Sequence, residues 1–313
     1  MFQEIASKTS VLFIVLLIGA AARYKKILDE ASTRTLANLV LVVALPFLYF
    51  HSLSTKFTAE LLNTIWVLPV FALALVSLGY AIAKVLSGFI DLPASSKATF
   101  VYLATFTNCG FLAIPIANAL YGPDGIIRVV FFNVGFNLLY WTLGVRTLRT
   151  ANKSSGSSYG GRFALAGNLI NGGTIGLLCG IGVGLMSIRL PSFLMDSANI
   201  IGSATIPLAL LVVGSIMSKC DMSKFRQYRR SVILITVCRL LVVPCLALFI
   251  SSLFKDLAPL SRAIIVLQSA MPSASTTPIF VSRFGGDMEL ASVGVFATTM
   301  CSIITVPFFI SLL

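Results

Sequence analysis

Apolar runs long enough to cross a bilayer follow one another through this chain, joined by short polar connections. A hydrocarbon core of about 30 Å takes roughly 20 helical residues. In lipid every backbone N–H and C=O must find a protein partner, so such runs fold as helices. The spans read at 9–23, 35–54, 64–87, 98–121, 126–145, 165–187, 197–218, 231–252, 262–282 and 290–311, the first starting nearer Ile5 to reach full length. The expected fold is an all-α membrane protein with ten transmembrane helices. Composition agrees: 57% of the 313 residues are hydrophobic and 11% charged, against about 25% charged in a soluble domain. Val11 to Ala22 has the length of a signal-peptide core. Its cations lie on the wrong side, with only Lys8 before it and Arg23, Lys25 and Lys26 after, so it reads as a retained first helix.

Two of these runs are poor helices in the middle. Thr107, Cys109 and Gly110 flank Asn108 in the fourth run, with Pro115 soon after. The ninth run is interrupted by Met271, Pro272, Ser273, Ala274, Ser275, Thr276, Thr277 and Pro278. Thr, Asn and Gly favour caps and turns, and Pro supplies no amide to the ladder. Broken backbone survives in a bilayer only where protein or a cavity covers it. The expected reason for both breaks is a binding site.

The two runs also end alike. Pro115, Gly122 and Asp124 recur as Pro278, Gly285 and Asp287, each 163 residues on. Asn38 with Pro46 recurs as Asn199 with Pro207, 161 residues on. The chain thus divides into a first five-helix repeat at 1–148, a Ser/Gly linker at 149–164 and a second repeat at 165–313. An odd number of crossings per repeat inserts the second upside down, and paired interrupted helices in such halves point to a secondary carrier's site. Pro46, Pro115, Pro207 and Pro278 are the expected hinges.

Cations give the orientation. Of the 23 lysines and arginines, Lys8, Lys56, Arg128, Arg189, Lys255 and Arg262 fall on one side. Arg239 lies within a span, and all the others fall on the opposite side. The richer side is expected in the cytoplasm, with both termini outside the cytoplasmic membrane. The net charge of +12 then reads as topology and anionic-lipid contact, and no nucleic acid is expected.

No catalytic constellation, phosphate-binding loop or metal-ligand cluster stands out, so neither an enzyme nor a cofactor or metal is expected. The six cysteines have no metal spacing, His51 stands alone, and all eleven acids fall in loops or at helix ends. Membrane carboxylates are the usual proton relays, and this chain offers hydroxyls and amides in their place. The substrate-binding candidates are Thr107, Asn108, Cys109, Gly110, Asn133, Asn137, Pro272, Ser273, Ala274, Ser275 and Arg239. Each break exposes a half-helix N-terminus, whose free amides and dipole favour an anion. Arg239 divides between a structural partner, such as a carbonyl or lipid phosphate, and the substrate.

Asn108 to Pro115, Ala119 to Gly122, Thr205 to Leu210 with Gly214, Ala270 to Pro272, Leu45-Pro46 and Arg239 with Pro244 resemble motifs of the auxin efflux carrier family, over essentially the whole chain. The resemblance implies two inverted five-helix repeats, with broken helices four and nine crossing beside the substrate. Helices 1, 2, 6 and 7 would form a scaffold, and helices 3–5 and 8–10 a transport domain. Plant members export an indole carboxylate, and bacterial members are linked to malate, malonate and other organic acids. The short linker resembles prokaryotic members. Asn168-Leu-Ile-Asn171 departs from the Asn-Pro that many members carry there. The expected function is alternating-access transport of small organic anions, carboxylates by class. A sodium-coupled symporter of bile-acid type and a non-transporting receptor are the competing readings. The expected partners are the organic anion and the bilayer, with monomer or homodimer left open.

Overall fold

The computed structural model describes residues 2–151 and 172–313. Most of the linker, Asn168 to Asn171 and the first part of the expected sixth span lie outside the described residues. Every regular element among the described residues is a helix, and none is a strand. Among the described residues, seven helices are long and apolar enough to cross a membrane.

The elements are α1 (Phe2–Tyr24), α2 (Glu30–Lys56), α3 (Ala59–Gly88), α4 (Ala94–Thr105), α5 (Ala113–Thr150), α6 (Gly172–Leu185), α7 (Ser192–Met217), α8 (Arg229–Ser252), α9 (Pro259–Ala270), α10 (Thr277–Phe284) and α11 (Met288–Ser311). The expected fourth and ninth spans are each two helices, so neither counts as one long span. The expected fifth is the continuation of α5 beyond a kink at Gly122, where φ is 61°. Gly285, its counterpart in the second half, also takes a positive φ, 94°, at the end of α10. Only glycine adopts this geometry without a Cβ penalty.

Side chains start several helices where the polar signal precedes the apolar run. Asp29 accepts from the Ser32 amide at 2.7 Å, and Thr58 from Leu61 at 3.1 Å. Asp287 accepts from Leu290 at 3.0 Å. Each satisfies an amide that the first turn leaves without a partner. α3 then buries Leu68, Phe71, Ala72, Leu75, Val76, Gly79 and Ala83, a stripe at helical spacing.

Prolines mark irregular turns rather than ends of spans. Pro46 lies two residues after a π-helical turn at Val40–Ala44, and Pro244 two residues after another at Cys238–Val242. A widened turn accommodates the missing amide and the clash of the ring with the carbonyl four residues back. Pro207 sits in the first turn after α7 is interrupted at Ala204.

Small residues bring helices together. α1 packs on the second part of α7, and α6 on the second part of α2. A Cβ on Gly214 would run into the backbone of Leu16, and one on Gly176 into that of Pro46. Helices with no hydrophobic drive between them in lipid pack through such close approaches.

Candidate functional site at the crossed breaks

The two interruptions meet. Chain between α4 and α5 runs antiparallel to chain between α9 and α10, joined by a single bridge between Thr107 and Ser273. The Asn108 amide donates to Pro272 O at 2.8 Å, and the Ala274 amide to Phe106 O at 3.0 Å. Each break thus satisfies part of the other's backbone, as the bilayer demands.

Pro115 and Pro278 are displaced from the expected position. They are not in the breaks but in the first turns of α5 and α10. A helix's first amides have no partner within it, so Pro is tolerated there. Asn108, Gly110, Ser273 and Ala274 form the breaks themselves.

A cavity of about 670 Å³ opens beside the crossing. Of the expected binding residues, Thr107, Asn108, Cys109, Gly110, Asn133, Asn137 and Ala274 line it. Pro272, Ser273, Ser275 and Arg239 do not. Ser273 is buried and donates to Leu103 O at 2.8 Å, while its amide donates to the Thr298 hydroxyl at 3.3 Å. Arg239 is 2% exposed and turned to backbone. Its Nε donates to Met271 O at 3.2 Å and its Nη1 to Thr105 O at 3.0 Å. Its Nη2 donates to Ser269 O. The structural alternative for Arg239 is the one these bonds describe.

One part of the wall is apolar and aromatic, with Phe136, Tyr140, Trp141, Leu177 and Phe280. Among the described residues, the polar part has no charged side chain. Three of its atoms are buried without a hydrogen-bond partner among the described residues: Thr107 Oγ1, Asn108 Nδ2 and Thr205 Oγ1. Leaving such groups unpaired costs roughly 1–3 kcal/mol each, so their occurrence on residues around one cavity calls for an explanation. No backbone carbonyl among the described residues accepts from the amides of Cys109, Gly110, Phe111 or Leu112, just ahead of α5.

Other polar groups hold the site in shape. Asn133 Nδ2 donates to Cys109 O at 3.2 Å and its Oδ1 accepts from Gln268 Nε2 at 3.0 Å. That ties the first break to α5 and α9. The hydroxyls of Tyr140 and Thr276 share a hydrogen bond of 2.8 Å. Sequence reasoning missed Thr205, Tyr49 and Tyr140 on the cavity and Gln268 behind it. The Thr205-Ile-Pro motif was the one available signal for Thr205.

A family model described as membrane transport protein matches residues 6–159 and 161–310. An uncharacterized transporter of Methanocaldococcus jannaschii is 26% identical over 298 residues, covering 95% of this chain and 94% of the relative. An uncharacterized transporter of Methanothermobacter thermautotrophicus is 27% identical over 305 residues, with the same coverage of 95% and 94%. The protein PIN-LIKES 2 of Arabidopsis thaliana is 30% identical over 125 residues, 38% of this chain and 27% of the relative. With its apolar helices and crossed breaks, the chain belongs to the membrane transport protein family, that of the auxin efflux carriers.

Proposed function

We propose that this transporter is a secondary carrier for small organic anions, carboxylates by class, bound at the crossing of its two broken helices. The observation that carries this reading is the group of buried, unpartnered polar atoms, Thr107 Oγ1, Asn108 Nδ2 and Thr205 Oγ1, on residues that line one cavity. A bound carboxylate would accept from them and from the free amides ahead of α5. Its organic body would lie on the aromatic wall. Neutral donors and helix ends suit an anion that must be released again, where a lysine in the wall would hold it longer.

The ten-crossing, inverted-repeat reading has support in the packing. If the halves exchange, α1 corresponds to α6 and α2 to α7. The contact of α1 with α7 then exchanges with that of α6 with α2. These four helices would be the scaffold, at 1–148 and 165–313 of the two repeats. The other helices would move as the transport domain by alternating access. Side-chain contacts also respect the assigned faces. Lys219 pairs with Glu30 at 2.6 Å, Lys224 with Glu289 at 2.8 Å, and Ser96 donates to Asp287 at 2.6 Å, all on the cation-rich face. Lys56 lies 4.0 Å from Asp124 on the other. We assign the cation-rich face to the cytoplasm and the termini to the outside of the cytoplasmic membrane.

The experiment is a thermal-shift screen of purified protein against a carboxylate panel, since a ligand of the native state raises apparent stability. Hits then go to flux measurements in liposomes, with and without a sodium gradient. A hit that crosses the membrane without sodium supports the proposal. Strict sodium dependence would favour the symporter reading, and binding without flux a receptor.

A further inference from the structure

Four helix ends converge at the crossing, and they differ in sign. α5 and α10 bring their N-termini, the positive ends of their dipoles. α4 ends at Thr105 and α9 at Ala270, which bring the negative ends and their unpaired carbonyls. A cation is the natural partner for two such carbonyl ends in a medium without water. Among the described residues, no group of side chains could hold a metal ion there.

Arg239 fills this place. Its three donors reach Thr105 O at the end of α4, and Ser269 O and Met271 O at the end of α9. It is among the largest fully buried side chains. It forms no ion pair with a carboxylate among the described residues. An isolated arginine at membrane depth is costly on insertion scales. Here its counter-charge is divided over the two helix ends. It stands on the π turn Cys238–Val242, where one extra residue per turn re-aims the side chains.

We propose that Arg239 is the built-in cation of the crossing, a positioning residue that neutralises the carboxyl ends of α4 and α9 and ties both to α8. A covalently attached charge then stands where an exchangeable cation would otherwise be needed. The positive ends of α5 and α10 are left uncompensated for the anion. This rests on the crossing being the transport site, yet its test needs no substrate.

The test is thermal unfolding of purified Arg239→Ala, Arg239→Gln and Arg239→Lys, each titrated with guanidinium ion at concentrations too low to denature. Arg239→Ala is expected to melt several degrees below wild type, and guanidinium to restore the loss saturably. Wild type, whose site is filled, should show no such rise. Arg239→Lys should melt above Arg239→Gln, because it keeps the charge. A folded Arg239→Ala that gains nothing from guanidinium overturns the proposal. If Arg239→Ala does not fold, the Lys and Gln variants decide. Equal melting of these two, or failure of both to fold, would mean that shape rather than charge is required.

Discussion

The two breaks share a sequence grammar and a backbone bridge, yet their side chains do opposite things. At the first, Thr107 and Asn108 line the cavity and each carries a buried polar atom that no described residue satisfies. At the second, Ser273 is fully buried and bonded to Leu103 O, and Thr276 to Tyr140. Ser275 Oγ, also at the second break, is buried and unpartnered but lies off the cavity. A repeated interruption thus yields one break that offers donors to a ligand and one that braces it. Polar residues of the first kind should matter for affinity, and those of the second for stability.

Asn133 tests both kinds together and should show the largest effect. Asn133→Ala removes the donor to Cys109 O and the acceptor of Gln268. Each buried group left alone costs roughly 1–3 kcal/mol. Chemical or thermal unfolding should register both losses, and a variant as stable as wild type would break the bracing account. Ser273→Ala comes next: one buried bond is lost, and stability should fall by about 1–3 kcal/mol with ligand affinity nearly unchanged. A drop in affinity without loss of stability would place Ser273 with the ligand instead.

Thr205→Val keeps the shape and removes a hydroxyl without a described partner. Melting temperature should hold or rise, while ligand binding weakens by about 1.5–3 kcal/mol, as for a hydrogen bond to a charged group, readable by titration calorimetry. Pro115→Ala should do least. Pro115 lies in the first turn of α5, where a missing amide is tolerated, so stability should change by no more than about 1 kcal/mol. Abolished transport in a well-expressed Pro115→Ala would restore it as a hinge.

Much of this was legible in the sequence because lipid leaves the backbone so few choices. Gly110, Pro272 and their neighbours break long apolar runs, and the breaks lie where the runs lose helix-formers. The matching Gly122 and Gly285 both take positive φ. What was not legible is direction. The sequence placed Ser273 and Asn108 in equivalent breaks, but only tertiary packing decides which hydroxyl or amide finds a carbonyl. Arg239 was recognisable as an intramembrane charge, whereas its three carbonyl partners come from 134, 30 and 32 residues away. Thr205, in an apolar helix, was marked only by its Thr205-Ile-Pro motif, and Gln268 gave no sign because its partner Asn133 lies 135 residues off.

The central claim is that unpartnered donors at the first break bind the anion, and Asn108→Ala tests it most directly. The measurement is the affinity of a carboxylate hit for purified wild type, Asn108→Ala and Ser273→Ala, beside the unliganded melting temperature of each. Asn108 Nδ2 has no partner to lose among the described residues, so Asn108→Ala should melt close to wild type. Its affinity should fall about tenfold or more, since a hydrogen bond to a charged group contributes roughly 1.5–3 kcal/mol. Ser273→Ala should show the reverse pattern. Wild-type affinity in a folded Asn108→Ala would contradict the account and place the anion elsewhere.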